Sequence, residues 1–137
     1  MDKKLNRDLM GYAEECLQNK KCLLYKKDGN GVIHESYNGQ VSALGVSILM
    51  IGLRATLAVY YQDKPDKKDK AYRRNILEVI VQMLNKDTNK NKKDRTSFAN
   101  AEDFVKEVMK SDEMIWKSDV INCSVALKQV IRTYKLG

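Results

Sequence analysis

Lys128 and Arg132 stand four residues apart near the end of the chain, and Lys67, Lys70 and Arg74 repeat that kind of spacing in its middle. Steps of three and four residues put side chains on one face of a helix, so each set would gather positive charge into a stripe. Such stripes hold a phosphate backbone without reading its sequence. Arg54 is a sixth candidate, because it is the single charge within residues 41–61, VSALGVSILMIGLRATLAVYY. Its planar guanidinium suits a bidentate phosphate contact, and its long stem equally suits an escape from an apolar helix to water or a carboxylate. Charge stripes also mark plain solvated helix faces, so charge alone leaves both readings open.

Catalytic chemistry has little to work with. His34 is the only histidine and falls in an expected turn, leaving no HExxH and no Ser-His or Cys-His set beyond that one residue. Neither a GxxxxGK[ST] loop nor a GxGxxG after a strand is present. DGNG at 28–31 resembles the start of a calcium-binding loop, but Glu35 comes too early and the later ligands are missing. The acidic pairs Glu14-Glu15, Glu102-Asp103 and Asp112-Glu113 are adjacent in sequence and read as charge at helix starts or on solvated faces. No catalytic residue, metal site or cofactor is therefore expected. Cys16, Cys22 and Cys123 form an odd set without a CxxC, which fits buried thiols in a reducing cytoplasm better than a disulfide framework.

With 137 residues the chain is expected to be one domain, able to bury about two-thirds of the surface of its unfolded form. It is 43% hydrophobic and 31% charged, with a mean hydropathy of −0.53, as in ordinary globular proteins. Seven glycines and a single proline are few breakers for a strand-rich domain, so composition favours an all-α fold. The net charge of +7 is local: residues 64–95 hold eleven basic and five acidic side chains, and residues 120–137 hold no acid at all. An anionic partner is the natural reading of that imbalance. The opening MDKKLNRD is too charged for a signal peptide.

The elements that must position these residues are read from periodicity. Leu5, Leu9, Tyr12/Ala13 and Cys16/Leu17 form a helical stripe over 3–20. Turn residues follow, with at most a small hairpin near 23–36 closed by Asp28-Gly29-Asn30-Gly31. Ser36 is placed to cap the next helix, and Pro65, with Asp66 or Asp69, to open the one after it. Tyr72, Ile76/Leu77, Ile80 and Met83/Leu84 carry that helix to about Asn85, and 86–97 is a basic surface loop. Phe98, Phe104/Val105 and Val108/Met109 mark a short helix. A last one, from about Asp112 to Tyr134, shows Trp116, Val120, Cys123, Leu127 and Val130/Ile131 at the cleanest spacing in the chain. The expected architecture is an all-α, single-domain bundle of five to six helices.

Residues 41–61 are long enough for a bilayer span, but Gly45, Gly52, Ser42, Ser47, Thr56 and a near-central arginine argue for a buried helix or helix pair instead. Gly52 marks a kink or a break within it.

Two segments resemble a known family, the small α-helical subunit of the Cmr complex, the type III-B CRISPR effector. That family has a tyrosine, a short basic stretch and a proline, then an aliphatic run into Asn-Gly-Leu-x-x-(Thr/Ala)-Leu-Ala. Tyr37, Gly52, Leu53, Thr56, Leu57 and Ala58 match in order and spacing. VALKQVIRTY at 125–134 resembles the family's C-terminal helix through Ala126, Leu127, Ile131, Arg132 and Tyr134. Gly45 replaces the proline, Ser42 and Ala43 the frequent lysines, Ile51 the asparagine and Val130 a tryptophan. The resemblance implies a non-catalytic helical subunit, stacked in copies along a filament with other Cmr subunits, holding guide and target RNA in a basic groove in the cytoplasm. Arg54, Lys128 and Arg132, with Lys67, Lys70 and Arg74, are the expected backbone contacts. The alternative is a helical protein–protein adaptor whose charge only solvates it, and a third reading is an enzyme built on His34. No membrane and no small-molecule substrate is expected.

Overall fold

Asp2 opens the first helix, α1 (Lys3–Gln18), by accepting the N–H of Leu5 at 3.0 Å. Its stripe of Leu9, Ala13, Cys16 and Leu17 is buried. The computed structural model describes residues 1–19, 21–26, 31–63, 71–87 and 97–137. Six helices lie among them: α1, α2 (Ser36–Ile51), α3 (Leu53–Gln62), α4 (Arg73–Lys86), α5 (Ala101–Lys110) and α6 (Met114–Ile131). The chain is a small all-α domain, as expected.

The hairpin near 23–36 is reduced to a bridge between Tyr25 and Ile33, flanked by Lys26 N–H to Val32 O at 2.8 Å and His34 N–H to Leu24 O at 3.2 Å. Residues 28–30 of its turn lie outside the described residues. Ile33 also bridges Leu136 in parallel, with Ile33 N–H to Lys135 O at 2.9 Å and Gly137 N–H to Ile33 O at 3.0 Å. This pairing explains why α6 stops at Ile131 rather than Tyr134. The Thr133 hydroxyl donates back to Val130 O at 2.7 Å, and the tail leaves the helix to pair with the backbone of Ile33. Tyr134 then donates to Glu14 at 2.6 Å and fastens the tail to α1.

Residues 41–61 are two helices, broken at Gly52 (φ 92°, ψ 164°). Thr56, fully buried, and Ser47 share a hydrogen bond at 2.8 Å that closes the corner. Among the described residues, no helix is long and apolar enough to cross a membrane. Ser36 does not cap α2; the flanking residue is Glu35, which makes no capping bond, and Nδ1 of His34 accepts the Ser36 N–H at 3.3 Å. The described part of the fourth helix begins at Arg73, with Pro65, Asp66 and Asp69 outside the described residues.

At the centre, α6 packs against α1, α2 and α4. It runs antiparallel to α2: a Cβ at Gly45 would meet the Ser124 hydroxyl at 3.5 Å, and one at Gly52 would meet the Glu113 carboxylate at 3.3 Å. α4 buries residues on most of its circumference, from Ile76 to Leu84. Phe98, Phe104 and Trp116 meet edge-to-face, with centroids 5.2–5.5 Å apart, and seal α5 to α6. Tyr37 is a buried polar node whose hydroxyl accepts from Asn75 at 2.8 Å and from the Tyr72 N–H at 3.2 Å. It joins the start of α2 to the start of α4.

Candidate nucleic-acid interface

Arg54 is the second residue of α3, where the exposed N–H groups of the helix start make a cation unfavourable. Two contacts offset that. The Glu113 carboxylate accepts the Arg54 N–H at 3.0 Å and caps α3, which Gly52 cannot do. The Arg54 guanidinium turns away to the C-terminal end of α5, where Nε donates to Val108 O at 3.1 Å and a terminal nitrogen donates to Ser111 O. Those carbonyls carry the negative end of the α5 dipole.

Arg74 repeats the device. It is the second residue of α4, and Nε donates to Tyr61 O at 2.7 Å, with a terminal nitrogen on the same oxygen, at the end of α3. Its guanidinium lies 3.7 Å from the Tyr61 ring centroid. Arg73 beside it donates its N–H to Asp63 at 2.8 Å and stands 5.8 Å from the Tyr60 ring. An acidic residue also serves the start of α5, where Glu78 of α4 accepts the Ala101 N–H. Much charge that reads as solvation in the sequence thus closes helix ends across the bundle.

Lys128 and Arg132 are placed differently. They sit one turn apart at the end of α6, Lys128 half-buried and Arg132 exposed, and among the described residues their side chains make no hydrogen bond or ion pair. Burial of Val120, Cys123, Leu127, Val130 and Ile131 on the inward face fixes that turn against the core. Lys135 follows on the exposed tail, held by the pairing at Ile33. It was not among the expected contacts, although the acid-free composition of 120–137 pointed to it. Lys67 and Lys70 lie outside the described residues, as does most of the basic loop 86–97. Lys86 pairs with Glu15 at 3.0 Å.

The remaining chemistry is quiet. Among the described residues no group of three metal-ligating side chains forms. The cysteines form no disulfide among the described residues, and burial pushes the Cys16 thiol up to about 11, with nearby Lys86 opposing the shift. Tyr60, Tyr72 and Trp116 are buried in the bundle rather than offered as stacking platforms.

A family model described as CRISPR-associated protein (Cas_Cmr5) matches residues 10–130. No curated protein and no solved structure matches the chain.

Proposed function

The chain belongs to the CRISPR-associated Cas_Cmr5 family, and on that premise we propose that it is a non-catalytic structural subunit of a type III-B effector that holds RNA by its backbone. Copies of the chain, together with other Cmr subunits, line the filament beside guide and target RNA in the cytoplasm. Lys128 and Arg132, extended by Lys135, supply the backbone contacts. Support comes from one contrast. Arg54 and Arg74 spend donors on the carbonyls of neighbouring helices, whereas Lys128 and Arg132 project from the end of α6 without a partner among the described residues. A cation that spends no donor on its own fold keeps all of them for phosphate, whereas a guanidinium held on a helix end has fewer to offer.

The test is the assembled complex carrying Lys128→Glu and Arg132→Glu in this chain, titrated with target RNA over a range of salt. Each lost phosphate contact should lower the slope of log K against log salt by about 0.7–0.9. A slope and an affinity equal to those of the unaltered complex would remove the assignment.

A further inference from the structure

The short ladder at Ile33 joins three distant pieces of the chain, and its register sets two lysines on one face. Tyr25 bridges Ile33 antiparallel, and Leu136 bridges it in parallel. One residue along, Lys26 stands opposite Val32, with its N–H donating to Val32 O at 2.8 Å, and Lys135 stands opposite Val32 from the other side. Successive side chains of an extended segment point to opposite faces, and residues opposite one another share a face. Ile33 is fully buried and points to the core, so Lys26, Val32 and Lys135 share the outward face. A second observation agrees. A Cβ at Gly137, two residues beyond Lys135 and on the same side of the tail, would stand 3.0 Å from Val32 Cγ1. Lys135 is exposed and Lys26 half-buried, and among the described residues neither lysine side chain makes a hydrogen bond or ion pair.

We propose that Lys26 and Lys135 are the two jaws of a clamp on one sugar–phosphate backbone, which makes Lys26 an RNA contact contributed by the first third of the chain. The inference rests on the reading of the chain as an RNA-holding subunit, and it adds a residue which that reading does not contain. The two lysines are two strand spacings apart at the backbone, about 10 Å. Each ammonium rides on a flexible four-carbon stem, so both reach a single strand lying across Val32. The apolar Val32 side chain between them brings no acceptor to compete with phosphate. Glu14, the carboxylate that meets the tail, accepts the Tyr134 hydroxyl at 2.6 Å and the Gln18 amide at 3.1 Å rather than a lysine. Continuity favours RNA over an acidic protein. Arg132 is three residues from Lys135, with Cα atoms at most about 11 Å apart, so the clamp prolongs the contacts at the end of α6. Two point charges of this kind hold a backbone and do not read bases.

The experiment uses the assembled complex with Lys26→Gln, Lys135→Gln or both in this chain, titrated with target RNA over a range of salt. Each single change should lower the slope of log K against log salt by about 0.7–0.9, and the pair by about 1.4–1.8, with the Tm of the isolated chain unchanged. Lys26→Arg keeps the charge and should keep the slope. Lys110→Gln removes an exposed cation at the end of α5 and should keep it too. That end meets the start of α6 through Arg54, about 27 Å from the other end of α6. A slope unchanged by Lys26→Gln overturns the proposal, as does an equal fall for Lys26→Arg or for Lys110→Gln. Loss of another subunit on Lys26→Gln with the RNA slope intact marks a protein contact instead, and overturns it as well. Lys128→Glu with Arg132→Glu separates the two readings. If that pair lowers the slope and Lys26→Gln does not, the clamp fails and the end of α6 remains the RNA contact. If only Lys26→Gln and Lys135→Gln lower it, the clamp stands and the assignment of Lys128 and Arg132 falls.

Discussion

The carboxylate of Glu113 accepts the Arg54 N–H at 3.0 Å, and the Arg54 side chain donates onward to Val108 O at 3.1 Å and to Ser111 O. Three helix ends meet in this relay: the start of α3, the end of α5 and the residue just before α6. Glu113 covers N–H groups that Gly52 leaves open, and Arg54 covers carbonyls that α5 cannot satisfy itself. The two residues are 59 positions apart, so the relay also fixes how the second half of the chain sits on the first.

Arg54→Ala should therefore cost stability. Charge-assisted hydrogen bonds contribute about 1.5–3 kcal/mol each, and because Arg54 is exposed, solvent screening brings the loss down to about 1–2 kcal/mol. At roughly 3–5 °C per kcal/mol, Tm falls by several degrees. Glu113→Gln retains a weaker cap and should lose less. In a double-mutant cycle the two changes should couple, because both act on one relay. Strict additivity in thermal unfolding would show that they act separately.

Gly52 is under a second constraint. Its φ of 92° with ψ of 164° lies in a region open essentially to glycine, and a Cβ there would stand 3.3 Å from the Glu113 carboxylate. Gly52→Ala should destabilise by about 1–3 kcal/mol. Gly45→Ala meets only an ordinary 3.5 Å contact with Ser124 and should cost clearly less. Equal losses at both glycines in urea unfolding would refute the backbone argument.

Alkaline pH should weaken the fold before it reaches other functions. Burial raises Cys16 from 9.0 to about 11, and raises Cys22, Tyr37 and Tyr60 as well. Their folded values lie above their unfolded ones, so the unfolded chain releases these protons first as pH climbs. The native chain then binds more protons, and stability falls with rising pH. It should be intact below about pH 9 and decline through about pH 11. Thermal unfolding at pH 8 and pH 10.5 measures this, with a shallower decline for Cys16→Ala. A flat Tm over that interval would contradict it.

The periodic parts of the chain were legible and the crossing contacts were not. Trp116, Val120, Cys123, Leu127 and Val130/Ile131 announce α6 because each is buried by one neighbour set repeating with the helix. Gly52 announced a kink or break, and its backbone angles make it a break. The end of α6 was misplaced because the competing partner of the tail, Ile33, is about a hundred residues away. The roles of Arg54 and Arg74 were hidden for the same reason, since their acceptors lie in other helices. One local sign existed: each is the second residue of its helix, where a cation opposes the dipole and must reach elsewhere.

That placement gives the sharpest prediction for RNA binding. Arg54→Gln and Arg74→Gln remove charge, as do Lys128→Gln and Arg132→Gln, so a view based on net charge treats the four alike. The contacts do not. At Arg54 and Arg74 the loss falls on the ends of α5 and α3, so Tm should drop while the salt slope of target-RNA retention by the assembled complex stays unchanged. At Lys128 and Arg132 no intramolecular bond is lost among the described residues, so Tm should hold and the slope should fall by about 0.7–0.9 per residue. Measuring both quantities on all four chains separates charge that closes the bundle from charge that meets phosphate. An equal fall in slope for Arg54→Gln and Arg132→Gln would show that helix capping does not withdraw an arginine from RNA.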